Sequence, residues 1–380
     1  METIHLIPDD APCPPNRTIF QGFEWYIPAD HSHWTRLAAL MPRLAALGIT
    51  SMWIPPAYKG AWFTSNGYDV YDLYDLGEFP QRARGLPSGG RKRSWRAWSM
   101  RRMGLGSGCC SMRCLIIGRA LIAPRRSLRS RSMRRVCNRL KELGKPYKIE
   151  AWTRFDFPGR GDTYSPLKWT KEHFNGVDHD AKTKSQAVWR LQGKKWAYDV
   201  DEELGNYDFL MCGNIDHSHP DVRRDLFYWV EWLGSQFRLG GLRIDAVKHY
   251  SASFLRDLMR HIDQTVGKDW FLVGEYWRAD AKVLSAYIEY MNHRLSLFDV
   301  PLVESFSNIS RGIEPDLRTV FKGSLAAVKP ANAVTFVVNH DTQTGQSLET
   351  PVAPFFIPIA YALILLRANF GLPCVFWGDL

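Results

Sequence analysis

The sequence lacks the features that mark membrane and secreted proteins. No stretch reaches the ~18 uninterrupted apolar residues needed to cross a bilayer. The first residues contain acids and prolines where a secretory signal has a basic start and an apolar run. Outside residues 81–137 the only cysteines are Cys13, Cys212 and Cys374, too few and too widely spaced for a disulfide framework or a metal motif. These absences predict a cytoplasmic protein with no membrane partner.

Acidic residues are missing from one long segment. Residues 81–137 contain 16 of the 49 Lys and Arg, four of the seven Cys, and no Asp or Glu. The formal net charge is +10, so the other 323 residues carry −6. Apolar residues make up 45% of the 380 and charged residues 23%, as in globular proteins with a large core. The chain is therefore interpreted as a mildly acidic protein interrupted by a basic, cysteine-rich insert. The competing interpretation is an arginine-rich arm that binds nucleic acid.

Strand and helix patterns alternate outside that insert. This β-then-α order predicts a parallel sheet, either closed as a (β/α)₈ TIM barrel or open and doubly wound. We assign the barrel to residues 1–80 and 216–380, and an inserted irregular, β-rich domain to residues 138–215, which lack a helical period. The predicted strands are 18–26, 49–55, 241–247, 270–275, 295–303, 333–339 and 373–378; the predicted helices are 33–47, 220–237, 251–266, 279–291 and 354–368.

Acidic residues follow four of these strands at their carboxyl ends. They are Glu24, Asp245, Glu275 and the Asp341 of a His340–Asp341 pair. In a parallel barrel those ends form the catalytic face. One such acid has an ordinary structural explanation, as a helix cap or a paired buried carboxylate. Several acids at the same face favour a catalytic site.

At these residues the chain resembles the α-amylase family of glycoside hydrolases, in the branch of bacterial liquefying and fungal intracellular enzymes. Three of the four signature strands of that family are present, in order. The similarity extends from about Gln21 to the end of the sequence, apart from residues 81–137. The matching stretches are QGFEWY, HWTRL, WIPPAYKG, GYDVYDLYDLGEF, PYKIEAWTRFDFPGRGDTYS, GNYDFLM, HPDVR, GLRIDAVKH, GEYW and FVVNHDTQ.

The resemblance implies an endo-acting, retaining hydrolysis of α-1,4-glucosidic bonds in starch or glycogen by a monomer. Retaining glycosidases use two carboxyl groups ~5–5.5 Å apart, one as nucleophile and one as acid/base. By resemblance Asp245 is the nucleophile, Glu275 the acid/base, and Asp341 the third carboxylate that orients the sugar. We expect Glu275 to stay protonated near neutral pH because of its aromatic and acidic neighbours.

The same resemblance implies a set of residues that bind the glucan. Arg243 lies two positions before Asp245, so on a strand both side chains face the same side, and its cation should keep the nucleophile ionised. His340 should donate to a sugar hydroxyl. The remaining candidates are Lys248 and His249 on the leaving-group side, Tyr58 as a stacking platform, and Trp25.

A structural calcium ion is also implied, between the barrel and the inserted domain. Calcium takes six to eight oxygen ligands. The corresponding stretches offer Asp208, Asn214, Asp216 and the His249 carbonyl. Because Asn214 and Ser218 stand where liquefying relatives have Asp, the ligand charge is reduced. A second metal ion is therefore not expected.

The fourth signature, a strand that reads roughly FDAVLNH, is absent, and the basic insert stands in its place. Reading the codons of residues 110–117 one base out of frame permits FDAVLNH. We therefore interpret residues from about 81 to 137 as out of frame, through a sequencing error, a wrong gene model or a genuine lesion. We expect a disrupted third strand as a result. The sequence stops after a stretch that corresponds to the eighth barrel strand of the family. The last barrel helix and a C-terminal β-sandwich are therefore expected to be missing.

Two other functions stay open at this point. The first is a catalytically dead glucan-binding or misfolded relative, since one barrel strand is expected to be lost. The second is a nucleic-acid binder acting through residues 81–137. A starch-iodine assay separates hydrolysis from the first alternative, and salt-dependent binding to random DNA would be needed for the second.

Overall fold

The structure is a computed structural model that describes residues 17–62, 66–80, 113–118, 128–136, 139–237 and 239–380. Within these ranges the chain forms one barrel, a second sheet and a short hairpin. The strands are β1 Ile19–Gln21, β2 Ser51–Trp53, β3 Lys59–Gly60, β4 Val70–Asp72, β5 Arg113–Gly118, β6 Leu128–Val136, β7 Arg139–Ile149, β8 Phe174–His179, β9 Gln186–Leu191, β10 Gly213–Ile215, β11 Gly241–Ile244, β12 Phe271–Gly274, β13 Ser296–Phe298, β14 Ala333–Phe336 and β15 Leu372–Phe376.

Eight parallel strands close into a barrel, which confirms the predicted fold class. Their order around the barrel is β1-β15-β14-β13-β12-β11-β5-β2. Closure is made by β1, which pairs with β2 on one side and β15 on the other, with Ile19 opposite both Ser51 and Cys374. The strands are short and mostly buried on both faces, as is usual for a parallel sheet covered by helices.

The expectation of a disrupted third strand is wrong for the backbone. Strand β5 occupies the third barrel position and pairs with β2, Ser51 opposite Arg113, and with β11, Gly241 opposite Leu115. The ladder uses backbone N–H and C=O groups that every non-proline residue carries, and the Leu-Ile-Ile run within β5 has high β-propensity. Neither β2 nor β11 is left as an open edge.

The second sheet has five antiparallel strands in the order β10-β8-β9-β6-β7. Because β6 begins at Leu128, this sheet starts earlier in the chain than the predicted inserted domain at 138–215. Two parts of the basic segment 81–137 thus take part in sheets, β5 in the barrel and β6 in the second sheet. Its other residues, 81–112, 119–127 and 137, lie outside the described residues, as does the predicted packing of that segment.

Helices alternate with the barrel strands along much of the described chain. Among those that begin at a side-chain cap are the helices after Ser251, Asp280 and Asp299, each of which accepts a hydrogen bond from a backbone N–H in the first turn. These helices are amphipathic and bury their apolar faces against the barrel. The helices are α1 His33–Ala46, α2 Pro220–Gln236, α3 Ala252–Thr265, α4 Ala281–Tyr290, α5 Val300–Ser310, α6 Leu325–Val328 and α7 Ile357–Leu365.

The predicted strand over residues 295–303 is wrong in its second half. Strand β13 ends at Phe298, and α5 starts two residues later. Asp299 caps this helix, and Pro301 lies in its first turn, where its missing N–H does no harm. The apolar residues after Asp299 therefore belong to a buried helix.

Among the described residues, no helix has the length and apolar character that crossing a membrane requires.

Candidate active site

Three carboxylates lie just beyond the carboxyl ends of barrel strands. Asp245 follows the last residue of β11 directly, and Glu275 follows the last residue of β12. Asp341 lies on the loop after β14. Because the strands are parallel and in register, these loops open at the same end of the barrel. The structure thus brings the three predicted catalytic residues to one face.

The guanidinium of Arg243 joins two of these carboxylates. Arg243 lies on β11, is fully buried, and forms an ion pair through Nη1 with Asp245 Oδ1. Its Nη2 lies 2.8 Å from Glu275 Oε2. Its other contact is the ring of Trp53, whose centroid lies 4.9 Å from the guanidinium carbon. One buried cation therefore holds the predicted nucleophile and the predicted acid side by side.

Glu275 is placed so that it keeps a proton at neutral pH. Burial raises the pKa of this carboxyl from 4.5 to about 8. The Arg243 cation opposes the rise, while the negative charges of Asp245 and Asp341 add to it. Burial by itself lowers the pKa of Arg243, yet the charges of Glu275 and Asp245 raise it above its ordinary value, so this group stays a cation.

The proton of Glu275 can be placed on one oxygen. Oε2 accepts from Arg243 Nη2 at 2.8 Å and from the backbone N–H of Ala246 at 3.1 Å. An oxygen that accepts two N–H groups is the carbonyl oxygen of a carboxylic acid, so the hydroxyl hydrogen belongs on Oε1. Glu275 can thus contact Arg243 and still act as an acid.

The chain turns sharply after Asp245. Ala246 has a φ of +48°, a left-handed conformation that costs a non-glycine residue energy. The short turn Val247–His249 follows. The polar side chains of this turn, Lys248 and His249, are buried and contact the segment before β10. Lys248 Nζ lies 2.7 Å from Glu203 Oε2, and His249 Nδ1 lies 2.6 Å from the Tyr207 carbonyl oxygen. Burial lowers the pKa of His249 to about 4, so its ring is neutral and donates through Nδ1.

His340 lies beside Asp341 inside a group of aromatic rings. Its Nε2 is 3.2 Å from Asp341 Oδ2, and its ring is fully buried. The rings of Tyr68 and Trp25 stack on it, with centroids 5.0 Å and 6.1 Å away. Trp53, which contacts Arg243, meets His340 edge-on at 5.3 Å. The rings of this group connect His340 with the cation at the centre of the site.

Trp25 and the fourth predicted acid, Glu24, follow β1 and meet the same loop as His340. The backbone N–H of Trp25 donates to Gln343 Oε1 at 3.0 Å. Gln343 Nε2 lies 3.4 Å from Glu24 Oε2. Both residues are half-buried.

Tyr58 was predicted as a stacking platform, and Tyr68 had no predicted role. The structure buries Tyr58 in the core with its ring edge towards Trp229 of α2, centroids 6.5 Å apart. Tyr68 lies with the carboxylates instead. Burial raises the pKa of its hydroxyl well above its ordinary value, and the charges of Asp245 and Asp341 add to this rise against Arg243. The signal was present, because Tyr68 opens the matching stretch GYDVYDLYDLGEF.

Three of the predicted calcium ligands belong to one polar cluster. Burial raises the pKa of Asp208 to about 6, although Ala197 N, Asn214 and Asn175 donate hydrogen bonds to it and lower it; the nearby charge of Asp216 adds to the rise. Asn214 Nδ2 donates to Asn175 Oδ1 at 2.7 Å. The cluster therefore offers carboxylate and amide oxygens around a buried negative charge, as a hard cation requires.

Asp216 already has a cationic partner. Lys194 Nζ lies 2.8 Å from Asp216 Oδ2, and Ser218 donates to Oδ1. Burial raises the pKa of Asp216, but these hydrogen bonds outweigh it and hold the pKa below its usual value. An ion bound by Asp208 and Asn214 would thus find Asp216 partly neutralised by Lys194.

One other group of described residues lies close enough to hold a metal: ligand atoms of His173, His219 and Asp221 are all within 4.8 Å of one another. The hydrogen bonds argue against it. His173 Nδ1 accepts from Thr170 N at 3.0 Å, and His219 Nδ1 accepts from Asp221 N at 3.2 Å. Each neutral ring then carries its hydrogen on Nε2, which leaves no lone pair there for a metal.

A closed parallel barrel that presents two carboxylates on one buried guanidinium at its carboxyl face has the layout of a glycoside hydrolase. Comparisons with known proteins agree. The α-amylase of Bacillus licheniformis is 41% identical over 388 residues, covering 99% of this chain and 74% of that protein. The cytoplasmic α-amylase of Escherichia coli strain K12 is 37% identical over 373 residues, covering 96% and 74%. The chain belongs to the α-amylase family of glycoside hydrolases.

Solved structures show the same fold at low sequence identity. The α-amylase I of Eisenia fetida superposes with a TM-score of 0.62 at 15% identity, over 96% of this chain and 67% of that one. The α-amylase of Geobacillus thermoleovorans, complexed with acarbose, gives 0.59 at 16% identity, over 96% and 70%. No family model matches the chain.

The raised pKa of Glu275 has a consequence for stability. A carboxyl whose pKa is higher in the folded than in the unfolded chain stabilises the fold at low pH, and this contribution is lost as the pH rises from about 4.5 to about 8. The variant Glu275→Gln is neutral at every pH. We therefore expect its melting temperature to rise relative to that of the parent between pH 5 and about pH 8.

The matched control is Glu314→Gln, at an exposed position, whose melting temperature should follow that of the parent at every pH. A difference between parent and Glu275→Gln that stays constant from pH 5 to 9 would show that Glu275 does not hold a proton in this range.

Proposed function

We propose that this chain is an endo-acting, retaining α-amylase that hydrolyses α-1,4-glucosidic bonds in starch or glycogen. The observation that carries the proposal is the pair of carboxyl groups on Arg243, together with the raised pKa of Glu275. Two carboxyl groups bound to one guanidinium lie close together, which favours the separation of about 5–5.5 Å used by retaining enzymes over the roughly 6.5–9.5 Å of inverting ones.

Each residue then has a defined task. Glu275 gives the proton on Oε1 to the glycosidic oxygen while Asp245 attacks the anomeric carbon, which breaks the glycosidic bond and forms a glycosyl-enzyme. Glu275, now ionised, takes a proton from a water molecule that releases the sugar with its original configuration. Asp341 and His340 orient the sugar through its hydroxyl groups. Tyr68 and Trp25 offer aromatic faces for its apolar side.

The names of the similar proteins support a long α-glucan as the substrate. The glucan 1,4-α-maltohexaosidase of Bacillus sp. strain 707 is 41% identical over 375 residues, covering 96% of this chain and 70% of that protein. A variant of the Eisenia fetida enzyme was crystallised with maltohexaose. An oligosaccharide of this kind is therefore the ligand we expect along the barrel's carboxyl face.

The assignment of the two catalytic carboxyl groups predicts the behaviour of conservative variants. Asp245→Asn removes the nucleophile and Glu275→Gln removes the acid, while both keep the shape of the site. Each should lower the rate of starch hydrolysis by more than ~10²-fold, because loss of general acid–base help alone costs ~10²–10⁴-fold. Reducing-end release measures the rate, and the anomer formed first, read by proton NMR, should be α.

The control is Asp257→Asn, since Asp257, on helix α3, forms a half-buried ion pair with Arg223 away from the site. Its rate should stay within about twofold of the parent, as for most surface substitutions. A catalytic variant that keeps more than about a hundredth of the parent rate would contradict its assigned role. A β-anomer as first product would contradict the retaining mechanism.

We also propose that the Asp208 cluster binds calcium. The residues that would hold it are Asp208, Asn214 and the His249 carbonyl, with Asp216 contributing once Lys194 moves aside. When bound, the ion would neutralise the buried charge of Asp208 and tie the segment before β10 to the turn after β11. That turn carries Lys248 and His249, so the ion would stabilise one wall of the site.

Calcium binding predicts a specific change in thermal stability. Millimolar calcium should raise the melting temperature of the parent relative to EDTA, because a ligand that binds only the folded state stabilises it. Asp208→Asn should lose most of this calcium-dependent increment, whereas Asp257→Asn should keep it. An Asp208→Asn variant with the full increment would mean that the ion binds elsewhere.

We further propose that residues from about 81 to 137 are encoded one base out of frame. The observation in favour is positional. Strand β5, at the third barrel position, overlaps residues 110–117, where the alternative frame permits FDAVLNH. By resemblance that strand would supply an Asn ligand for calcium and a His for the sugar.

A chain recoded in the alternative frame tests this proposal. It should melt at a higher temperature, respond more strongly to EDTA and hydrolyse starch faster than the chain as written. The reasons are that arginine is rarely buried without a partner and that the segment has no acid to pair with. Equal melting temperatures and equal rates would make residues 81–137 a functional insertion. Genomic DNA across codons 78–140 gives an independent answer.

A cytoplasmic location is proposed as well, with support from the name of the Escherichia coli relative. The monomeric state and the absence of a nucleic-acid partner stay predictions from the sequence. Filter binding to random DNA and size-exclusion chromatography test them.

A further inference from the structure

A glutamine from the first strand of the barrel reaches the histidine of the site. Gln21 ends β1, and its Nε2 lies 3.1 Å from His340 Nδ1, although the two residues are 319 positions apart in the chain. Both side chains are buried, at 1% and 0% exposure. This contact plays no part in the assigned chemistry, so its effect on His340 has to be worked out from the hydrogen bonds.

The backbone decides which end of the Gln21 amide faces His340. The same Nε2 lies 3.3 Å from the carbonyl oxygen of Phe23. Turning the amide over would place Oε1 against that carbonyl, with two acceptors in contact and no hydrogen between them. The NH₂ group must therefore be the one that faces both Phe23 O and His340 Nδ1.

An NH₂ group has hydrogens to donate and no lone pair to accept with. His340 Nδ1 must therefore be the acceptor, without a hydrogen of its own. A neutral imidazole with a bare Nδ1 carries its hydrogen on Nε2. That nitrogen lies 3.2 Å from Asp341 Oδ2, so the nitrogen that carries the hydrogen is the one beside the third carboxylate.

The residues around the His340 ring restrict its rotation. Tyr68 and Trp25, whose ring centroids lie 5.6 Å apart, both stack against it, and Phe23 and Trp53 pack against it at 5.0 Å and 5.3 Å. The titratable and charged groups that face it are Asp341 on its own loop, Tyr68, and Arg243 on the far side of Trp53. Only Asp341 favours a positive ring, and it faces Nε2.

We propose that Gln21 is a positioning residue that holds His340 as the neutral Nε2–H tautomer, so that Nε2, beside Asp341, donates its one hydrogen to a sugar hydroxyl. For its effect on hydrolysis the inference rests on the proposed function. The tautomer itself is a property of the resting protein. Gln21 acts on the sugar only through His340.

The tautomer can be measured directly in the full chain. Labelling with ¹⁵N-histidine and recording long-range ¹H–¹⁵N correlations distinguishes Nε2–H, Nδ1–H and doubly protonated rings. The signal of His340 is identified by its loss in His340→Asn. We expect the parent to show the Nε2–H form at pH 6 to 8, with no imidazolium. An Nδ1–H or doubly protonated ring in the parent would overturn the proposal.

Two substitutions of similar size then separate positioning from packing. Gln21→Glu places a hydrogen-bond acceptor opposite Nδ1, so Nδ1 should carry a hydrogen. At low pH His340 should then be an imidazolium, and as the pH rises it should lose the hydrogen on Nε2 and keep the one on Nδ1. Gln21→Met removes the polar contact and should leave a mixture of tautomers. In enzymes that depend on histidine, the wrong tautomer can lower kcat by up to ~10⁴.

The rate of hydrolysis should depend on which nitrogen of His340 carries the hydrogen. Gln21→Met should lower kcat by at least ~10-fold at every pH, with the shape of the pH profile unchanged. Gln21→Glu should retain more activity at acid pH and add an alkaline loss of activity where the parent has none. A Gln21→Glu variant with the tautomer and pH profile of the parent would overturn the proposal.

These experiments test the role of Gln21 separately from the proposed hydrolysis of α-glucans. If Gln21→Glu does not fold, the parent spectrum and Gln21→Met still decide. If the parent hydrolyses no α-glucan, the proposed function fails, while the spectra of parent and variants continue to test what Gln21 does to His340.

Discussion

The site depends on one buried cation. Arg243 has no contact with water, so its charge must be balanced by neighbouring carboxylates. Three carboxyl groups lie around it, and three negative charges against one positive charge would leave the buried site strongly negative. Glu275, whose pKa burial raises to about 8, relieves this imbalance by keeping its proton. The proposed division into one nucleophile and one acid thus follows from the charge count around Arg243, and from β11 presenting Arg243 and Asp245 on the same side.

The barrel supplies the register that this arrangement needs. Arg243 and Glu275 meet because β11 and β12 are parallel neighbours with Arg243 opposite Val273, which places both strand ends at the same level. Backbone pairing sets this register and is indifferent to most side chains. For the same reason β5 can complete the barrel with a sequence that differs from the signature strand of the family. Backbone pairing closes the barrel, whereas the side chains at the strand ends bind the ligands, and a strand can meet the first requirement without meeting the second.

The sequence predicted the residues that act within one strand and missed contacts between distant strands. Asp245, Glu275 and Asp341 could be found because each follows a short apolar run within a few residues. Tyr68 was overlooked although it lies in a matching stretch, because that stretch contains several tyrosines. Gln21 could not be found, because a glutamine at a strand end has no local pattern that marks it. The strand at 295–303 was misjudged because a buried helix and a buried strand are both apolar, and the Asp299 cap was the deciding signal. The second sheet begins earlier than predicted because the basic composition of residues 128–136 concealed a strand.

The contact between Gln21 and His340 also connects barrel closure with the chemistry of the site. Gln21 is the last residue of β1, and its backbone is fixed on both sides, opposite Trp53 of β2 and Phe376 of β15. An amide held by two neighbouring strands keeps its distance from Phe23 and His340 without help from a flexible loop. A shift of β1 by one residue would turn Gln21 to the other face of the sheet, because side chains alternate along a strand. The orientation of His340 is therefore set by the pairing of the first strand with the last, before any substrate binds.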